Sequence, residues 1–219
     1  MAGGFNFVIA DDHPLFRGAL RQALGGLGEV IEFTEVGDFS GTKDAIATRD
    51  DVDLVLLDLT MPGTSGLSGL VALRGLNASV PVVVVSAHDD SETIRRAIEL
   101  GASGFISKSA SMDEIRLAVR TVLDGGVVTP RGIDLGDEGD PEVSDLIARL
   151  QTLTPQQTRV LSMLAEGLLN KQIAYELGVS EATIKAHVSA VLQKLAVDSR
   201  TQAVIKLSRI STEAPILTE

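Results

Sequence analysis

The sequence predicts two domains: a doubly wound, five-stranded parallel α/β sheet, then an all-α unit built on a helix-turn-helix. Three observations carry this. Five short apolar runs alternate with five helically spaced stretches over roughly the first 126 residues, the pattern of a parallel sheet covered on both faces. Acidic, hydroxyl and basic residues stand at or just beyond the ends of those runs. The charge also changes along the chain. Residues 1–129 carry 10 Lys/Arg and 18 Asp/Glu, residues 130–153 carry 2 and 6, and residues 154–219 carry 7 and 6. The nets are −8, −4 and +1, so the acidity of this −11 chain lies in its first two segments and an anionic ligand suits the third.

Phe5 to Ala10 is a short apolar strand that runs into Asp11-Asp12-His13-Pro14. Leu15, Ala19, Leu20, Ala23, Leu24 and Leu27 then recur at helical spacing, and Gly25-Gly26 ends the element. Val30 to Phe33 reads as the second strand and Phe39 to Ala47 as a weaker helix. Asp53 to Leu57 reads as the third strand; its continuous apolar run, Leu54 to Leu57, is fit for burial on both faces, meets Asp58 and is stopped by Met61-Pro62-Gly63. A helix follows from about Leu67 to Leu76. Pro81 to Ser86 is a β-branched strand, Ser91 to Leu100 a helix, and Phe105 to Ser107 a short strand. A capping box, Ser111-Met-Asp-Glu114, opens a last helix that runs to Leu123.

Composition narrows the function classes. The 219 residues suffice for two ordinary domains, and 44% hydrophobic with 22% charged residues is globular. No apolar run approaches the ~20 residues of a membrane span, and no basic segment followed by an apolar core marks a secretory signal. Zero cysteines exclude disulfides, thiol catalysis and cysteine metal sites, which is compatible with a cytoplasmic protein. His13, His88 and His187 lack zinc-ligand spacing.

In a parallel sheet the strand exits share one edge, so Asp11-Asp12, Asp58, Ser86 and Lys108 converge in one crevice. Alone, Asp58 could merely cap a turn. Converged carboxylates repel one another and call for a cation, and hard oxygen ligands suit Mg²⁺. Lys108 adds a point charge for a phosphoryl oxygen and Ser86 a small hydroxyl donor. Asp58 can then act as a nucleophile that takes up a phosphoryl group.

On these signals, namely Asp11-Asp12, Asp58 with Met-Pro-Gly, Val-Val-Ser86-Ala and Gly-Phe-Ile-Ser-Lys108, residues 1–126 resemble the flavodoxin-like receiver domain of two-component response regulators. The resemblance implies Asp58 as phosphoacceptor, Asp12 as direct Mg²⁺ ligand, Asp11 acting through water, and the Thr60 backbone carbonyl completing the set. It implies Ser86 and Phe105 as a switch pair, Phe105 turning inward on phosphorylation, and Lys108 on the phosphoryl group. A histidine kinase or small phosphodonor would load Asp58.

Residues 127–152 read as an acidic, glycine-rich linker, with Asp140 able to cap a short helix from Pro141 to Leu150. Its acids Asp137, Glu138 and Asp140 serve solubility, or compete for the basic surface that follows. From residue 153 onward, Thr154-Pro155-Gln-Gln157 opens a helix to about Ala165. Asn170 then caps Lys171 to Leu177, Gly178-Val-Ser180 turns, and Ser180 caps Glu181 to about Lys194. Two helices joined by a three-residue turn form a helix-turn-helix. Ile184, Val188, Val191, Leu192 and Leu195 make the inward stripe. Lys185, Ala186, Ser189, Ala190 and Gln193 stay outside, a small-residue face suited to a major groove.

Leu-Thr-Pro-Gln-Gln, Glu166-Gly-Leu-Leu-Asn-Lys-Gln-Ile-Ala and Val179-Ser-Glu-Ala-Thr-Ile-Lys-Ala-His-Val make residues 153–219 resemble the LuxR/NarL-type DNA-binding domain. This implies Lys185 and Ala186 at the groove and Lys171, Thr183 and Arg200 as phosphate candidates. Ser189 replaces a basic residue found there in some members, and His187 either reaches a phosphate or packs at the helix edge. A last helix, Thr201 to about Arg209, is where the family often dimerises. The reading is a transcription regulator, not a turnover enzyme, controlled by phosphorylation of Asp58, with a histidine kinase and promoter DNA as partners and a homodimer as the active form. Its rivals are a phosphorylation-independent adaptor and an aspartate-based phosphatase; against the phosphatase, Thr60 stands where a second aspartate is usual.

Overall fold

The computed structural model describes residues 4–28, 30–49, 51–130 and 141–211. Five parallel strands, β1 (Phe5–Ala10), β2 (Ile31–Val36), β3 (Leu54–Asp58), β4 (Val82–Ser86) and β5 (Gly104–Ser107), lie in the order β2-β1-β3-β4-β5. Helices α1 (Pro14–Gly25), α2 (Phe39–Thr48), α3 (Ser68–Leu76), α4 (Ser91–Glu99) and α5 (Met112–Leu123) connect them. The central strand shows why its sequence is apolar without a break. Leu54 and Leu56 pack with Phe7, Ile9, Val83 and Val85 under α1 and α5, while Val55 and Leu57 pack with Val8, Val82 and Val84 under α2, α3 and α4.

The edge strand departs from its expected span. β2 runs to Val36 because its pairing with β1 continues from Phe5↔Ile31 to Ala10↔Val36, through polar residues that an edge position tolerates. Beyond α5 the chain returns to the sheet: the Phe105 N–H donates to the Val128 carbonyl at 2.8 Å and the Val128 N–H to Ser103 at 3.2 Å. The acids Asp137, Glu138 and Asp140 lie outside the described residues.

The C-terminal part is helical: α6 (Pro141–Gln151), α7 (Pro155–Ala165), α8 (Asn170–Glu176), α9 (Glu181–Lys194) and α10 (Arg200–Ser211). Thr154 and Gln157 form the expected capping box on α7. The start of α8 differs: Leu169 occupies the cap and its N–H donates to Gln172 Oε1 at 2.8 Å, so Asn170 is already helical. Gln172 Oε1 reaches back to the Leu169 N–H, the reciprocal half of a capping box, and the cap residue contributes no side-chain hydrogen bond, so the capping the sequence assigns to Asn170 is not made. After α9, Ala196 takes φ 49°, and the Val197 N–H bonds the Leu192 carbonyl at 3.0 Å. α6 is not a passive spacer. Val143, Leu146, Ile147 and Leu150 are buried in the cluster that also holds Leu70, Ile94, Leu161 and Leu207. Among the described residues no helix is long and apolar enough to cross a membrane.

Candidate functional site

The strand order reverses direction between β1 and β3, and the crevice beyond their carboxyl ends is where such sheets hold ligands. β1 delivers Asp11 there and β3 delivers Asp58, both 1% exposed, while Asp12 is half-buried. Lys108 Nζ lies 2.8 Å from Asp58 Oδ2 and 2.7 Å from Asp11 Oδ2, so one ammonium bridges two buried carboxylates. Burial pushes the Lys108 ammonium down, but its contacts with Asp11 and Asp58 outweigh that and hold its pKa above the ordinary lysine value. The Thr60 N–H and Oγ–H both donate to Asp58 Oδ1, each at 3.1 Å. β4 ends in Ser86, fully buried, whose Oγ accepts from the His88 N–H at 3.0 Å. The Lys108 N–H donates to the Ser86 carbonyl at 2.8 Å, which aligns the ends of β4 and β5.

Three neighbours complete the pocket and were not singled out as functional from the sequence. His13 Nδ1 lies 2.6 Å from Asp12 Oδ1. The Phe16 ring centroid is 5.0 Å from Lys108 Nζ, and Arg17 donates to the Asp11 carbonyl at 2.6 Å. Their one sequence signal is adjacency to Asp11-Asp12 on the first turn of α1.

The donor set fits a hard divalent cation. Asp11, Asp12, His13 and Asp58 each bring a ligand atom within 4.8 Å of the others. Asp11 Oδ2 and Asp12 Oδ1 are buried, facing only the Lys108 ammonium at 2.7 Å and the His13 ring nitrogen at 2.6 Å, and a divalent cation would neutralise the carboxylate charge that one lysine leaves in excess. Phe105 departs from expectation. It is 1% exposed and already packed in the core beside β4, so in this conformation no inward turn is left for it to make.

On α9 the polar face stands as expected: Lys185, Ala186, Ser189 and Gln193 are exposed, while Ile184, Val191 and Leu195 are buried. Lys185 pairs with Glu181 at 3.0 Å, in the open. Lys171 is exposed at the start of α8. The Thr183 N–H donates to Ser180 Oγ at 3.1 Å, and the Thr183 hydroxyl lies 2.8 Å from it, tying the residue to the α9 cap. His187 is half-buried. Arg200 departs from the phosphate role: its guanidinium donates to the Leu168 carbonyl at 2.6 Å and the Leu164 carbonyl at 3.3 Å. The Leu168 carbonyl lies just past the end of α7 and the Leu164 carbonyl, in its last turn, also accepts from the Gly167 N–H at 3.1 Å, so the arginine ties down the C-terminal end of the helix.

Residues 7–120 match the response regulator receiver domain, and residues 151–207 match the bacterial regulatory proteins of the luxR family. The chain is 40% identical over 216 residues to the glycerol metabolism activator of Pseudomonas putida, covering 96% of this chain and 98% of that one. It is 36% identical over 211 residues to the nitrate/nitrite response regulator protein NarP of Escherichia coli, covering 92% and 93%. Among solved structures, RcsB of Salmonella enterica serovar Typhimurium bound to promoter DNA shares the fold at 23% identity, with a TM-score of 0.57 over 95% of this chain and 100% of that one. A LuxR family DNA-binding response regulator from Silicibacter pomeroyi is 32% identical, with a TM-score of 0.52 over 58% of this chain and 98% of that one.

Proposed function

Because the chain belongs to the two-component response regulators that join a receiver domain to a LuxR-type DNA-binding domain and regulate transcription, we propose that Asp58 is its phosphoacceptor. The observation that carries this reading is the Asp58 carboxylate, buried at the sheet's switch point and held by Lys108 at 2.8 Å. A carboxylate oxygen of Asp58 attacks the phosphorus of a phosphohistidine on a kinase, or of a small acyl phosphate. The P–N or P–O bond of the donor breaks, the leaving group keeps the electron pair, and an acyl phosphate forms on Asp58. Asp11, Asp12, Asp58 and the Thr60 carbonyl are the residues to hold Mg²⁺. When bound, Mg²⁺ neutralises the clustered carboxylates and the charge on the transferred group. Lys108 moves its charge from carboxylate to phosphoryl oxygen. Ser86 turns its hydroxyl proton toward another phosphoryl oxygen, and Phe105, packed beside β4, registers that movement within the core.

The consequence falls on DNA. Lys185, Ala186 and Ser189 face the groove, with base preference set partly by the short Ser189 side chain. Lys171, Thr183 and His187 lie where phosphates pass. One domain of net +1 binds DNA weakly, so pairing of two copies doubles the phosphate contacts and makes the promoter complex conditional on phosphorylation. This is a single-use transfer read out on a promoter in the cytoplasm, not turnover of a substrate. Incubation with a small acyl phosphate and Mg²⁺ should add one phosphoryl group by intact mass and raise promoter affinity. Asp58→Ala should lose both responses. Phosphoryl uptake that persists in Asp58→Ala would place the acceptor elsewhere.

A further inference from the structure

A groove of about 470 Å³ lies at the β5 edge of the receiver sheet, between α5 and the segment that returns to the sheet after it. Its origin is in the backbone. The Val128 N–H and carbonyl pair with Ser103 and Phe105, a single parallel bridge on the outer edge of β5. A further rung would need an N–H two residues on, and Pro130 has none. The pairing stops there, and Val128, Thr129 and Pro130 form one wall of an open groove. Inside, the surface is apolar: Phe105 and Ile106 of β5 and Ala118 of α5 are at most 5% exposed, and Leu117 stands beside them 57% exposed.

The charge on the groove has one sign. Asp89 and Glu114 line it, and among the described residues that line it there is no Lys, Arg or His. Glu114 Oε2 accepts from the Ser111 N–H at 2.9 Å and from its hydroxyl at 2.7 Å, which fixes the carboxylate in place. An apolar body with a cationic end matches both features, whereas an anion would meet two carboxylates. The volume falls among those of small-molecule sites, roughly 300–1,000 Å³, so the occupant is a small molecule and not a protein surface.

The groove also adjoins the acidic pocket. Ser107 and Ser109 line it and flank Lys108, whose ammonium bridges Asp11 and Asp58. The two serine Oγ atoms are 2.7 Å apart and the Ser109 N–H donates to Ser107 Oγ at 3.2 Å, so the turn that carries Lys108 is held from the groove side. Asp89 stands three residues after Ser86, in the loop that follows β4. A molecule seated here touches the loops after β4 and β5 together.

We propose that this groove binds a small amphipathic organic cation, an alkyl- or arylalkyl-ammonium ion, with its apolar body on Ile106, Leu117 and Ala118 and its ammonium against Asp89 and Glu114. Bound there, it stiffens the Lys108 turn and slows the shift of that lysine toward a phosphoryl oxygen. This consequence rests on the reading of Asp58 given above; the binding does not.

Full-length protein labelled with ¹⁵N is titrated with 2-phenylethylamine and with 2-phenylethanol, at fixed ionic strength because a chain of net charge −11 attracts any cation. The amine should shift the amide signals of Ser107, Ser109, Leu117 and Val128 together and bind about tenfold more tightly than the alcohol, a difference of about 1.4 kcal/mol. Asp89→Asn/Glu114→Gln, in which glutamine still completes the capping box, should bring the amine to within about twofold of the alcohol and leave the alcohol unchanged. Leu117→Ala should weaken both ligands alike, by about fivefold. Phosphoryl uptake from a small acyl phosphate, followed by intact mass, should slow by about twofold or more at saturating amine in wild type. The double variant should show no slowing, which also controls for donor lost to the amine. Amine that binds no better than the alcohol, or that keeps its preference in the double variant, overturns the site. An uptake rate that saturating amine leaves unchanged or raises overturns the link to Lys108. Wild type that takes up no phosphoryl group fails the reading of Asp58, whereas the titrations still decide the site.

Discussion

Replacing Lys108 by Met keeps the length of the side chain and removes the one ammonium that bridges Asp11 and Asp58. At 2.7 and 2.8 Å, each pair is worth roughly 6 kcal/mol at an effective dielectric of 20, before the cost of desolvating the lysine is subtracted. Removing one partner of a buried pair typically costs about 3–5 kcal/mol, because the other charge is left uncompensated. Both carboxylates are about 1% exposed, so water cannot replace the lysine. Lys108→Met should therefore destabilise the receiver domain by about 3 kcal/mol in chelator. Asp58→Asn, which leaves Lys108 paired with Asp11, should cost far less. Mg²⁺ should stabilise wild type by about 2.7 kcal/mol at a hundredfold excess over its Kd and Lys108→Met by more, because carboxylates without their ammonium bind the cation more tightly, so the gap between the two should narrow. The chain has no Trp and a single Tyr in the C-terminal domain, so urea unfolding followed by far-UV circular dichroism is the readout. A loss below about 1 kcal/mol in chelator, or a gap unchanged by Mg²⁺, would refute the claim that Lys108 balances this pocket.

Three further expectations follow from single contacts. Asp90 caps α4 by accepting from the Thr93 N–H at 2.9 Å and its hydroxyl at 2.7 Å. Burial raises its pKa and these bonds lower it further, so it sits below the ordinary aspartate value. Its contribution is thus present above pH ~4 and lost as pH falls through the depressed value; Asp90→Ala should cost about 1 kcal/mol at neutral pH, with the gap to wild type closing in acid. Lys171→Ala should weaken DNA binding and reduce the salt slope by about one, whereas Arg200→Ala should lower the stability of the C-terminal domain by about 1–3 kcal/mol and leave the slope unchanged. An Arg200→Ala slope that falls like that of Lys171→Ala would return Arg200 to the DNA contacts. Ala196 holds φ 49°, a left-handed conformation that glycine adopts freely, so Ala196→Gly should raise stability by up to about 1 kcal/mol in a thermal melt; a drop would mean that the Ala196 methyl packs usefully.

The parts legible in the sequence are those decided by neighbours along the chain. The unbroken apolar run into Asp58, the capping boxes at Ser111 and Thr154, and Ser180 before α9 each carry their own signal, because burial on both strand faces and helix capping are satisfied locally. The convergence of Asp11, Asp58, Ser86 and Lys108 was legible too, since parallel strands place their exits on one edge whatever else the chain does. Less was visible where a partner comes from far away. The reach of β2 to Val36 depends on β1, and the inward turn of Arg200 depends on carbonyls more than 30 residues earlier.

By itself, then, the sequence determined two folds and the chemistry at the exits of one sheet, because periodicity, capping and strand direction are local or directional constraints. Only the tertiary structure decided that Phe105 already lies in the core, that Lys108 spans two carboxylates, and that α7 and α10 bury their apolar faces against α3 with α6 packed on α10. The physical reason is that a stripe of Leu and Val states that a face will be buried but not against what. Gly75, one glycine within a helix, acquires its meaning only when Thr158 stands where its side chain would be.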